Sequence, residues 1–334
     1  MNNNLMVSSS PHIRSEETVS SVMRDVIIAL LPATVMGIIF FGISAAIIIA
    51  VSIAAALAWE TIYNKIAKKP NTIKDFSAVI TGLLLALNMP AFSLSEHPFA
   101  VFVLPIVGTG VAIVIAKQLF GGLGQNFINP ALAGRAFLVA SYPTLMTGTI
   151  FKPTNLLSVD AATYAAPLSA IKEGGAYGAD LIQGLIGNTG GTIGETCAIA
   201  LIIGGIYLIY KKVISWRIPV VYIATVLVFT YILKFCGVEG AVNRDFTELF
   251  YGGLMLGAFF MATDYASSPV TPLGQLIMGF GCGFITVLIR VFGGYPEGVS
   301  YSILLMNLCV PLIDRWTTPK KFGYVKPVKV KEVK

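Results

Sequence analysis

Charge is what this sequence has least of. Only 12% of its 334 residues are Asp, Glu, Lys or Arg, while 55% are hydrophobic. A soluble domain carries about 25% charged residues. The polar surface is too small to cover a soluble globule, so the composition indicates a polytopic membrane protein. Histidine is nearly absent. The two present, His12 and His97, lie far apart and exclude a histidine-built metal centre. The four cysteines, Cys197, Cys236, Cys282 and Cys309, show no spacing of a metal site or a redox pair. Cysteines in apolar runs pack as small hydrophobes. The first 24 residues lack a secretory signal pattern. No strand precedes Gly121-Gly122-Leu123-Gly124 and no βαβ unit is available, which excludes a dinucleotide fingerprint. The net charge of +6 does not argue for nucleic acid either. Six of the last fifteen residues are lysine, and a basic tail behind the last apolar run is a topology signal and a membrane-surface contact.

What is present is a series of apolar runs. They predict an all-α protein with ten membrane segments: Val26–Phe41, Ile43–Ile62, Phe76–Phe92, Phe99–Leu119, Pro130–Ser141, Thr192–Tyr210, Ile218–Phe235, Leu249–Thr263, Leu273–Phe292 and Val299–Leu312. A straight span needs about 20 residues. The fifth and tenth fall well short, and short segments in corresponding halves point to a midplane site. Residues 1–24 form an N-terminal segment, 25–141 and 192–314 two five-helix halves, 142–191 a long loop and 315–334 a basic tail. With the N-terminus inside, 17 of the 23 lysines and arginines fall on the cytoplasmic side. This places both termini in the cytoplasm and the long loop outside.

The two halves resemble each other. Lys74-Asp75-Phe76-Ser77 followed by Gly82 matches Arg244-Asp245-Phe246-Thr247 followed by Gly252, at a constant spacing of 170 residues. Lys117 and Phe120-Gly121-Gly122 match Arg290 and Phe292-Gly293-Gly294. Five segments per half invert the second half relative to the first, the plan of many transport folds.

A few polar residues stand at membrane depth. Arg135 lies five residues past Pro130, where a central charge costs about 2.5–3.5 kcal/mol on insertion scales. It must face protein, water or an anionic ligand, with a carboxylate such as Asp264 or Glu195, or backbone carbonyls, as possible partners. Asn129 and Pro130 open the same short helix, as cap and first residue. The helix start offers N–H groups to an anion or a flavin edge. Asn88 and Asn307 suit interhelical hydrogen bonds. Asp264, in the broken turn Thr263–Pro272, either caps a helix or coordinates a cation. Asp264, Asn88 and Asn307 are the candidate ion contacts. Glu195 sits in a first helical turn, where a carboxylate favours the dipole.

Several motifs in a fixed order carry a family resemblance. They are Ser10–Arg14 with Met23–Val26, Gly121–Phe137 with Tyr142-Pro143, Phe260–Asp264, and Arg290–Val299. Over about residues 10–315 the chain resembles the D subunit of the Rnf complex, in the family shared with the B subunit of the sodium-pumping NADH:quinone reductase. That B subunit has a longer N-terminal extension, which favours the Rnf member.

The resemblance implies a urea-transporter-like fold of two inverted repeats in a bacterial cytoplasmic membrane. It implies electron transfer between ferredoxin and NAD coupled to Na⁺ or H⁺ movement. The partners implied are other membrane, flavoprotein and iron–sulfur subunits. No catalytic residue or metal ligand set is expected in this chain itself. The resemblance also implies FMN near the outer face, joined through its phosphate to the last threonine of an Asp-x-x-Ser/Thr-x-Ala-Thr motif with Pro-Leu following. Here that motif reads Asp160, Thr163, Tyr164, Ala165, Ala166, Pro167, Leu168. Ala166 stands at the attachment position and has no hydroxyl. Three readings are open: FMN held without a covalent link, attachment shifted to Thr163, or no flavin. In the first two, Tyr164 stacks on the ring while Arg135 and the Asn129 helix start neutralise the reduced ring. A passive channel or solute carrier on the same fold, or a cofactor-free scaffold, is the alternative function.

Overall fold

The computed structural model describes residues 17–148, 150–151, 163–164, 168, 181–187, 190–195, 197–242, 244, 246–294 and 298–319. Asp160, Ala166, Pro167 and the tail lysines lie outside the described residues. The described chain is helical apart from a two-residue antiparallel ladder. In it β1, Ile150–Phe151, pairs with β2, Thr163–Tyr164, placing Ile150 opposite Tyr164.

The first two apolar runs form α1, Val19–Ile66, capped reciprocally by Thr18 and Ser21. Its 48 residues would extend about 72 Å at about 1.5 Å per residue, more than twice a hydrocarbon core of about 30 Å. Gly42 interrupts it at φ 70° and ψ −153°, a conformation essentially reserved for glycine. The break falls between the two predicted segments. Then come α2 (Ser77–Leu87), α3 (Pro98–Gly110) continued by a π-helical stretch Val111–Gln118, and α4 (Pro130–Ser141). A short α5 (Leu181–Ile186) precedes α6 (Ala198–Tyr210) and α7 (Arg217–Phe235). A 3₁₀ turn Phe246–Phe250 leads into α8 (Leu254–Leu256), which runs on as π-helix through Gly257–Met261. The last helices are α9 (Pro272–Phe292) and α10 (Val299–Thr317).

Among the described residues, four helical stretches are long and apolar enough to cross a membrane: α1, α3 with its π continuation, α7 and α9. Three predicted segments are corrected. The third stops at Leu87, five residues early, the sixth begins only at Ala198, and the eighth is broken by Gly252 and Gly253. For the third and sixth the reason is a shared crossing. The Ile193 N–H donates to Met89 O at 3.0 Å and the Gly194 N–H to Leu87 O at 2.8 Å. Residues 87–90, at and just past the end of α2, and 192–194 therefore satisfy each other's backbone. Irregular backbone at membrane depth is tolerated only when buried in protein this way. Leu85, Leu87, Met89, Phe92 and Leu104 are all fully buried, and the first three flank or form this crossing.

Candidate functional site

Five polar residues singled out in the sequence converge at this centre. Asn129 caps α4, its Oδ1 accepting from the N–H groups of Ala131 (3.0 Å) and Leu132 (3.3 Å). Its Nδ2 donates to Met261 O at 3.2 Å, the last carbonyl of the π turn after α8. One and a half turns into α4, Arg135 Nη1 donates to Asn88 Oδ1 at 2.9 Å. Asn88, just past the end of α2, donates to Leu84 O at 2.6 Å and to Met261 Sδ at 3.7 Å. Asn307 of α10, with its amide turned to match donors to acceptors, donates to Ile303 O (3.2 Å) and Ser267 O (3.0 Å) and accepts from the Asn129 N–H (3.0 Å). Ser267 Oγ donates to Asp264 Oδ2 at 2.8 Å, and Asn126 Nδ2 approaches the same oxygen at 3.4 Å. The residues assigned to ion contact and two of those assigned to the flavin thus belong to one network. Arg135 is bonded to an amide just past α2.

Burial explains why this geometry is fixed. Asn88, Asn129, Arg135 and Asn307 are all buried, while Asp264 keeps part of its surface. A buried polar group left unpaired costs about 1–3 kcal/mol, and every amide here is paired. Asp264 lies in the connection between the π turn and α9, outside the spanning helices. Burial of its carboxyl pushes it above the usual carboxylate range. The bonds from Ser267 and Asn126 and from the backbone of Ala266 and Tyr265 act in the opposite sense.

Asp264 lines a cavity of about 90 Å³ together with Asn126, Asn129, Thr263, Thr81, Ser77 and Lys117 on its polar side. Phe259, Phe260, Leu84 and Leu208 form the apolar side, and the exposed Leu123 and Tyr265 stand at the rim. A water needs about 10–15 Å³ of such space, so the cavity has room for several. The glycine-rich stretch builds this rim. Gly121, Gly122 and Gly124 all have positive φ, at 122°, 101° and 84°.

Two buried charge clusters escape a reading of the sequence. Lys117, on the π-helical stretch, donates to Glu60 Oε2 at 3.0 Å and to Ser77 Oγ at 2.6 Å. Glu60 also accepts from Gln118 at 3.2 Å and from the Thr72 hydroxyl. In the second half, Arg290 Nη1 donates to Glu248 Oε1 at 3.0 Å, and Arg244 binds the same oxygen. Arg290 Nη2 reaches the carbonyls of Tyr251 (3.2 Å) and Gly252 (3.4 Å). Glu60, Lys117, Arg244, Glu248 and Arg290 are all buried. Lys117 is thus a buried clamp, although the positive-inside count includes it among the surface charges. One signal for the first cluster is present in the sequence: a carboxylate inside an apolar run, as Glu60 is, needs a partner.

Thr163 and Tyr164 occupy β2, whose backbone pairs with β1. Leu168, the last residue of the flavin motif, is buried against Gly252, so the motif's far end is anchored in protein. Among the described residues no group of His, Cys, Asp and Glu could hold a metal ion.

Residues 6–323 match the model of the NQR2, RnfD, RnfE family. The chain is 50% identical over 328 residues to the D subunit of the Na⁺-translocating ferredoxin:NAD⁺ oxidoreductase complex of Acetobacterium woodii, covering 97% of this chain and 96% of that one. It is 46% identical over 327 residues to the D subunit of the proton-translocating ferredoxin:NAD⁺ oxidoreductase complex of Clostridium ljungdahlii, covering 95% and 96%. It is 36% identical to the D subunit of the ion-translocating oxidoreductase complex of Actinobacillus succinogenes, covering 95% and 98%. The similarity runs over nearly the whole length: this chain belongs to the NQR2, RnfD, RnfE family.

Proposed function

We propose that this chain is the D-type membrane subunit of an ion-translocating ferredoxin:NAD oxidoreductase, carrying FMN as an electron relay near the outer face of the bacterial cytoplasmic membrane. Similarity along the whole chain to the D subunits of such complexes carries the reading. Ferredoxin and NAD sites belong to partner flavoprotein and iron–sulfur subunits in this reading. The coupling ion is left open, because one relative's complex translocates Na⁺ and another's protons.

The fold proposed is the ten-helix inverted repeat. Its support is the parallel between the halves. Lys117 ties down Ser77, where α2 begins, and Arg290 ties down Tyr251 and Gly252, just before α8 begins. Each cation comes from the fourth segment of its half and holds the start of that half's short third helix. Ion contact is assigned to Asp264, reached through the cavity, with Asn88 and Asn307 holding the surrounding backbone.

Asp160, Thr163, Tyr164 and Pro167 would hold the flavin, with Arg135 and the helix start at Asn129 contributing positive potential. The motif supports a flavin bound without a phosphoester at position 166, since alanine has no side-chain hydroxyl there. When bound, FMN supplies electron transfer chemistry; the chain's own contribution is to orient it and to set its charge environment. Flavin should therefore copurify with the native complex and be released from this subunit by SDS. A fluorescent band surviving SDS and lost in Thr163→Ala would move attachment to Thr163. A native complex without flavin at this subunit would leave the cofactor-free scaffold or the channel.

A further inference from the structure

We propose that Arg290 is a latch on a glycine hinge, and that the short helix beyond the hinge is the moving part of the ion path. This rests on the ion-translocating reading above. Gly252 and Gly253 both have left-handed φ, 76° and 67°, and break the chain immediately before α8. A β-carbon on Gly253 would meet nothing within 4 Å among the described residues. A pair of such residues absorbs large backbone changes.

The latch closes on the hinge. Arg290 Nη2 binds the carbonyls of Tyr251 and Gly252, and Nη1 is held by Glu248. Glu248 Oε2 is buried and has no hydrogen-bond partner among the described residues, while its other oxygen is held on the two arginines. From the hinge, residues 254–261 run as one continuous helix, eight residues or about 12 Å at 1.5 Å per residue. At its far end are Met261 O, which receives Asn129, and then Asp264 in the cavity wall. One short helix therefore has the latch at one end and, three residues past the other, the candidate ion ligand. With the latch closed, Asp264 faces the cavity rimmed by Leu123 and Tyr265. Opening it lets the helix swing about the glycines, which moves Met261 and Asp264 sideways out of the cavity wall and opens a path from the cavity along the helix toward the hinge, where Gly252 packs on Leu168 of the 142–191 loop.

The test is sided thiol labelling of the assembled complex in oriented membrane vesicles. The subunit carries Thr263→Cys, with the exposed Cys236 and Cys309 replaced by serine, and a membrane-impermeant maleimide is added to either face. At rest, labelling should be confined to the cavity side. During ferredoxin oxidation, loop-side labelling should appear. Glu248→Gln and Arg290→Gln should give it without turnover, faster by about tenfold or more, the factor for losing one hydrogen bond to a charged group. Arg290→Lys, which keeps the charge but loses the fork to two carbonyls, should be intermediate.

Labelling that stays on the cavity side during turnover, in vesicles shown to translocate ions, overturns the latch and leaves the transport reading intact. Vesicles that oxidise ferredoxin without moving Na⁺ or H⁺ overturn the transport reading itself. The turnover measurement needs neither latch variant, so poor assembly of those variants does not rescue the proposal.

Discussion

At the scale of single residues, the centre of the molecule is set by amides that bond to more than one element and by one guanidinium held on Asn88. Asn129 serves three elements at once, capping α4, binding Met261 O and donating its N–H to Asn307. Asn129→Ala should lose the cap, about 1 kcal/mol by itself, and leave Met261 O unpaired as well. The expected outcome is a clear fall in the thermal midpoint of the detergent-solubilised complex, larger than for a surface cap. Asn129→Asp, which keeps the cap, should recover part of it. Ala166 makes a second residue-scale prediction. Ala166→Thr restores the hydroxyl that the family motif places there. Flavin fluorescence should then follow this subunit through SDS electrophoresis, where the unaltered chain shows none. A dark band from a complex that still binds flavin would mean that the loop differs from the family in more than this one residue.

At the scale of elements, what matters is how closely the helices seat. A β-carbon at Gly134 would lie 2.6 Å from Gly108 O and 3.1 Å from Ala112 Cβ. Gly134→Ala should therefore push α4 off α3, at about 1–3 kcal/mol, and move Arg135 away from Asn88. Lower stability together with lower ion transport, assembly being retained, is the expected pair of readouts. The Lys117–Glu60 pair behaves differently. Removing one partner of a buried pair costs about 3–5 kcal/mol, while replacing both by apolar residues of similar size is often neutral. Lys117→Met alone should reduce the amount of assembled complex sharply, and adding Glu60→Leu should restore much of it. A double variant no better than the single would show that Lys117 has its main role with Ser77 at the start of α2.

At the scale of the whole molecule, Asp264 is the group on which the transport reading depends. In vesicles of the complete complex, Asp264→Asn should leave assembly unchanged and lower ion uptake per electron transferred by about tenfold, the effect of losing a charged ligand. Uptake measured once with radioactive sodium and once with a pH dye would also name the ion. Uptake at the unaltered ratio would remove Asp264 from the path. Much of the helical layout is readable in the sequence. The break at Gly42 falls between two apolar runs, and α4 has the predicted bounds because Asn129, Pro130 and the polar flank of Tyr142 mark them chemically. Segments three and six end elsewhere than their apolar runs suggest, since apolar composition does not distinguish helix from a buried crossing. Only the pairing of residues 87–90 with 192–194 does.

The sequence by itself determined that the chain belongs in a membrane, roughly where its helices start, and which family it resembles. Those properties follow from composition, local capping chemistry and motif order, all of which are properties of neighbouring residues. Tertiary structure decided which polar residues share a site. Asn88 and Arg135, 47 residues apart, and Asn129 and Met261, 132 apart, meet because each has a buried donor or acceptor that water cannot reach. It also decided that Lys117 and Arg290 are buried clamps and not surface charges. Their partners, Glu60 and Glu248, come from elements that only packing brings within reach.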